Sequence, residues 1–303
     1  MHVTFEYSVT NYTGSTRRMA KKVKITDVHS VPFCILAGGV LNMVSGCINA
    51  ICMVGSYTET ITHMTGTTTA LGAEFARGHW FDTLYQLSKI ACFVLGAALS
   101  GSYLGTESFV GGRRYAHVLV ATSFFLFAAI GLEQNSTTDD RTDDGGRDVG
   151  AGLFLIALAS GLQNAMTTNY GSAVVRTTHV TGSLTDIGIE LGRIIGKRDF
   201  TQLWKVKLLS SFVLGYAIGA GIGTALFHIF RIYSLLFPAS VVFLLGVAYR
   251  LYLQTSDGSQ FEREVRVGIA RRRLQTAEGD AASCDDATSS PLSAPFIHDS
   301  SGT

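Results

Sequence analysis

The chain is expected to be an all-α integral membrane protein, with two homologous repeats, six firm transmembrane helices and two polar helical segments that either cross or re-enter. Three observations lead there. Only 16% of the 303 residues are charged and the mean hydropathy is +0.28, too apolar for the surface of a soluble protein. The apolar residues fall in runs over 31–54, 87–104, 116–132, 149–166, 208–227 and 232–253, each near or above the ~18–20 residues that span ~30 Å of hydrocarbon. The sequence also repeats itself across its middle.

Residues 1–30 are polar and basic, with Arg17, Arg18, Lys21, Lys22 and Lys24, a composition that suits a disordered cytoplasmic segment. No apolar core or small-residue cleavage site begins near Met1, so the first span is expected to serve as the targeting signal. The first membrane repeat covers 31–132. The loop 133–148 gathers Asp139, Asp140, Asp143, Asp144 and Asp148 and is expected outside. The second repeat covers 149–253, and the polar tail 254–303 is expected to be cytoplasmic and mostly disordered. Within the tail, Phe261, Val265 and Ile269 recur at helical spacing among Arg263, Arg266 and Arg271 to Arg273, as in a basic helix lying on an anionic membrane face. Cys34, Cys47, Cys52 and Cys92 lie in or beside the first two runs and Cys284 in the tail, a spacing that forms neither a disulfide framework nor a metal-ligand pair.

The repeat is read from three pairs in the same order. SGCINA from Ser45 matches SGLQNA from Ser160, THMTGTTTALG from Thr62 matches THVTGSLTDIG from Thr178, and FVLGAALSG from Phe93 answers FVLGYAIGAG from Phe212. The HMTG and QNA…THVTGSLTDIG stretches resemble those of the YoaK family of multi-pass membrane proteins. That family carries a Met-Thr-Gly-Asn signature in its first half and Thr-Gly-x-x-Thr-Asp in its second. This chain has Thr67 where the signature has Asn, and Asn49 where an Asp is common. The resemblance implies the membrane fold and supplies no activity.

On a helix of ~100° per residue, His179, Ser183, Asp186, Glu190 and Arg193 share one narrow arc, as do His63, Thr67, Glu74 and Arg77 in the first copy, with Ala70 in the place of Asp186. Each Glu stands three residues before its Arg, close enough to pair. Val180, Leu184, Ile187 and Leu191 lie opposite and are expected to pack on apolar neighbours while the polar arc faces a cavity. Ionisable groups facing lipid are costly. The candidate pathway is therefore Asn49, His63, Thr65, Gly66, Thr67, Glu74, Gln163, Asn164, His179, Thr181, Gly182, Ser183, Asp186 and Glu190. Asp186 and Glu190, one turn apart, are expected to repel each other and so to form a proton- or cation-coupling pair.

Gly101 and Gly105, and Gly215, Gly219 and Gly223, set small residues four apart, as in close helix packing. Trp80, Tyr115 and Trp204 suit interfacial belts. No hydrolase, zinc, nucleotide or dinucleotide motif is present, so neither an enzyme nor a cofactor is expected. The expected function is a transporter or channel for a small solute or ion, against the alternative of a non-transporting lipid-binding or assembly factor. Expected partners are membrane lipids and that solute, with a homo-oligomer left open and no nucleic acid.

Overall fold

A computed structural model describes residues 2–10, 16–24, 31–55, 60–105, 112–136, 150–170, 180–198, 200 and 203–255. The apolar runs become the long helices α1 (Val31–Val54), α3 (Trp80–Leu104), α4 (Arg113–Ser136), α5 (Ala151–Tyr170), α7 (Leu203–Phe230) and α8 (Leu236–Tyr252). The two polar segments become the shorter α2 (Met64–Arg77) and α6 (Val180–Lys197). Among the described residues, five stretches are long and apolar enough to cross a bilayer, the last of them Leu203–Tyr252. At about 75 Å if straight, that stretch is far longer than a ~30 Å hydrocarbon layer. A 3-10 helix, Arg231–Leu235, divides it into α7 and α8, and Arg231 holds a φ of 52°, which an α-helix cannot continue through. The acidic loop, the basic tail helix and His179 lie outside the described residues.

The all-α expectation needs one correction, at the N-terminus. Strands β1 (His2–Thr10) and β2 (Thr16–Lys24) pair antiparallel, with His2 opposite Lys24 and Thr10 opposite Thr16. Val3, Phe5, Tyr7 and Val9 alternate with polar residues, a strand period that the basic composition of 1–30 concealed.

The long helices pair through glycine. Gly38 abuts Phe212, Gly215 abuts Gly39, Gly219 abuts Met43 and Gly223 abuts Cys47, so α1 and α7 advance side by side in one direction, backbone on backbone. In the same way α3 runs parallel to α5. The Tyr85 and Phe154 rings lie 5.7 Å apart, and farther along Gly96 meets Leu158 while Gly161 meets Phe93. The other glycine pair does not pack as expected: a side chain at Gly101 would meet open space, and Gly105 ends α3 with a φ of 74°.

Helix α4 turns back on α5, because Gly152 at the start of α5 lies against Ala129 and Glu133 at the end of α4. Cys52, near the end of α1, is within electrostatic reach of Glu133, so α1 and α4 end on the same side. Helix α8 sets Gly246 against Ala116, Leu119 and Val120 at the start of α4, and the 3-10 helix before it also touches α4. An α8 parallel to α4 would carry that 3-10 helix beyond the start of α4, so the two run opposite ways. Helices α2 and α6 each pack on the helix that follows them, α3 and α7.

Candidate functional site

Two polar centres form, one on each short helix. In the first, Asn49 of α1 is buried and its Oδ1 accepts the backbone N–H groups of Ile61 at 3.1 Å and Thr62 at 3.2 Å, and the Thr62 hydroxyl at 3.1 Å. The Tyr216 hydroxyl of α7 lies 3.4 Å from Thr62 Oγ1, and the His63 ring meets Tyr216 edge-on at 5.1 Å. Residues 61–63 therefore lie against the middle of α7 before α2 begins, with His63 as the N-cap residue rather than a member of the helix face. Thr67 is buried and its hydroxyl donates to the Thr60 carbonyl at 3.3 Å, while Thr65 and Gly66 are exposed.

Three turns along α2, the buried Glu74 binds Arg77 Nη1 at 3.1 Å through Oε1 and His79 Nδ1 at 2.7 Å through Oε2. Gly78 makes this turn with a φ of 77°, and the His79 N–H donates to the Glu74 carbonyl at 3.0 Å. That closes the helix as a left-handed cap does.

In the second centre Glu190 is buried and binds Arg193 Nη1 at 3.1 Å. Lys205 of α7 places its Nζ 3.4 Å from Asp186 Oδ2 and 3.6 Å from Glu190 Oε1, so an ammonium answers both carboxylates. Sequence reasoning missed Lys205 because it stands just ahead of the apolar run 208–227, 15 residues beyond Glu190. Ser183 is buried, Gly182 half-buried and Thr181 exposed.

The faces of the short helices correct a second expectation. Thr67 and Glu74 on α2, and Ser183 and Glu190 on α6, are buried, while Phe75, Leu184, Ile189, Leu191 and Ile195 are exposed. Ile187 alone of the four apolar residues named on α6 packs inward, against a cluster of Leu208, Leu209 and Phe212. Water would drive the opposite orientation, since burial of apolar surface contributes ~25 cal/mol per Å². A hydrocarbon solvent reverses it, because it makes polar groups seek protein.

Of the remaining sequence candidates, Gln163 links two helices. Gln163 of α5 is buried, and its Nε2 donates to the Leu41 carbonyl and the Ser45 hydroxyl of α1, both at 3.1 Å. Asn164 is half-buried, and its carbonyl accepts the hydroxyls of Thr167 and Thr168. Tyr115 is buried rather than placed in an interfacial belt, whereas Trp80 is exposed.

Lys89 is a second ionisable group that the sequence reading passed over. It is 0% exposed inside α3, its Nζ lies 4.5 Å from the centre of the Tyr85 ring, and Cys52 is within electrostatic reach of both Lys89 and Glu133. A cation over an aromatic face gains more when desolvated than in water. The signal was a lone lysine in the run 87–104, which averaging over the run hides.

A protein-family model described as "Protein of unknown function (DUF1275)" matches residues 37–248, well over half of the chain. No curated protein and no solved structure matches it.

Proposed function

We propose, for a chain that belongs to the DUF1275 family, a membrane transporter or channel that moves a small solute or ion and is coupled to protons. Within that family the HMTG and THVTGSLTDIG segments favour kinship with the YoaK group. The observation that carries the reading is the inward-facing polar arc on two short helices whose apolar faces point outward.

Chain directions support six crossings. Helices α1 and α4 end on one side, α5 opposes α4, and α3 follows α5, so α1 ends on the face where α3 begins, with α2 as a half-helix between them. By the same reasoning α5 ends on the opposite face, where α7 begins, with α6 between them. Two inverted repeats result, in which α1 pairs with α7 as α5 pairs with α3, the arrangement that serves alternating access. Positive residues then place both termini, Arg113 and Arg114 in the cytoplasm and the acidic loop outside.

Asp186, Glu190 and Lys205 form the coupling centre in this reading, and Lys89 a buried charge beside the path. Uptake by proteoliposomes with and without a pH gradient tests it. Asp186→Asn keeps the shape and removes the titration, so transport should persist and lose its pH dependence. Unchanged pH-dependent transport at normal folded yield would exclude Asp186 from coupling.

One observation favours the non-transporting alternative, a lipid-binding or assembly factor. Glu74, Asp186 and Glu190 each already hold a cationic or imidazole partner, as in a fully paired scaffold. Absence of uptake for every solute class, from protein that remains folded, would favour that alternative.

A further inference from the structure

We propose that Glu74, His79 and Asp82 bind a first-row divalent metal ion, of which Zn2+ is the appropriate probe. One ligand atom from each of the three residues lies within 4.8 Å of the other two, with His79 Nδ1 2.7 Å from Glu74 Oε2. Ligand atoms ~2.0–2.2 Å from a shared ion stand about 3.4 Å apart in a tetrahedron, so small side-chain rotations suffice. The pattern Glu-x4-His-x2-Asp brings the donors from both arms of a helical hairpin. Glu74 lies in the last turn of α2, His79 caps α3 and Asp82 sits in its first turn, with the left-handed Gly78 between them.

One imidazole and two carboxylates suit Zn2+ or Mn2+ better than the all-oxygen sets preferred by Mg2+ and Ca2+. The open fourth position would hold water. Arg77 is a competing cation. It contacts Glu74 through Oε1, not through the Oε2 that faces His79, and it is exposed enough to swing away.

The site is independent of the transport reading, and its test is a binding measurement. Purified full-length protein in nanodiscs should take up one Zn2+ by titration calorimetry, and Co2+ in its place should give visible absorption bands of a nitrogen- and oxygen-ligated ion. His79→Gln and Asp82→Asn should each weaken Zn2+ by at least about tenfold. Arg77→Gln should tighten it, and Asp186→Asn should leave it unchanged. Thermal unfolding of each variant establishes that it is folded. No saturable Zn2+ uptake by the parent protein, or equal affinity in the folded His79 and Asp82 variants, would overturn the proposal.

Discussion

Replacing Gly219 by Ala should loosen the α1–α7 pair, whereas the same change at Gly101 should do nothing. A methyl group at Gly219 would overlap the Met43 carbonyl oxygen and come within 2.6 Å of its carbonyl carbon and 2.8 Å of its Cα. All three atoms are main chain and cannot rotate away. The helices must therefore part by about 1 Å, which opens gaps along a close-packed interface. Overpacking costs typically ~1–3 kcal/mol, and parting the neighbouring Gly46 and Gly215 contacts places Gly219→Ala at the upper end. At roughly 2–4 °C per kcal/mol for a body of this size, Tm should fall by about 4–12 °C in detergent, followed by tryptophan or dye fluorescence. Gly101 faces open space within its helix, so Gly101→Ala should be neutral or stabilising by up to ~1 kcal/mol from helix propensity. Equal melting of the two variants would refute the glycine-to-backbone account of this interface.

Two further outcomes follow from the polar centres. Lys205→Gln alone leaves the Asp186 and Glu190 carboxylates without their shared ammonium and should cost about 1–2 kcal/mol, a figure reduced because Asp186 is nearly half exposed. The double variant Asp186→Ala with Lys205→Gln copies Ala70 and Gln86, which the proposed duplication sets opposite them, and should recover part of that loss by chemical denaturation; a strictly additive pair would argue against that duplication. Lys89→Met keeps the length of the side chain and removes its charge, so the protein should fold while uptake falls at least about tenfold; full uptake would place Lys89 outside the pathway.

Much of this architecture was legible in the sequence, because hydrocarbon thickness imposes a length that apolar runs display directly. The run 31–54 has the bounds of α1, and both polar segments are helices. Composition hid the N-terminal hairpin, since a basic segment reads as disorder until its two-residue alternation is weighed. Periodicity marked the two faces of α6 but could not say which one turned inward. That choice belongs to the solvent, and Leu184 and Ile195 face outward where a soluble helix would bury them.

The candidate site was legible in its carboxylates and not in their partners. Glu74 and Glu190 announce their arginines at i+3, a local relation. Lys205 reaches Asp186 only because α6 folds back on α7, a tertiary contact that no local spacing encodes. Asn49 and Gln163 fit either a pathway or a bridge on sequence grounds, and the structure gives them hydrogen bonds to Thr62 and to α1. Gly101 and Gly215 share a spacing pattern, yet only Gly215 finds a backbone beside it.

The most direct test of six crossings with two opposed half-helices is single-cysteine labelling at residues 78, 113 and 198 in an otherwise cysteine-free background, with a membrane-impermeant reagent applied to each side. The six-crossing arrangement places residue 78 outside and residues 113 and 198 in the cytoplasm. Eight crossings would reverse the first two, with residue 78 labelled from the cytoplasm and residue 113 from outside, and that result would contradict the account.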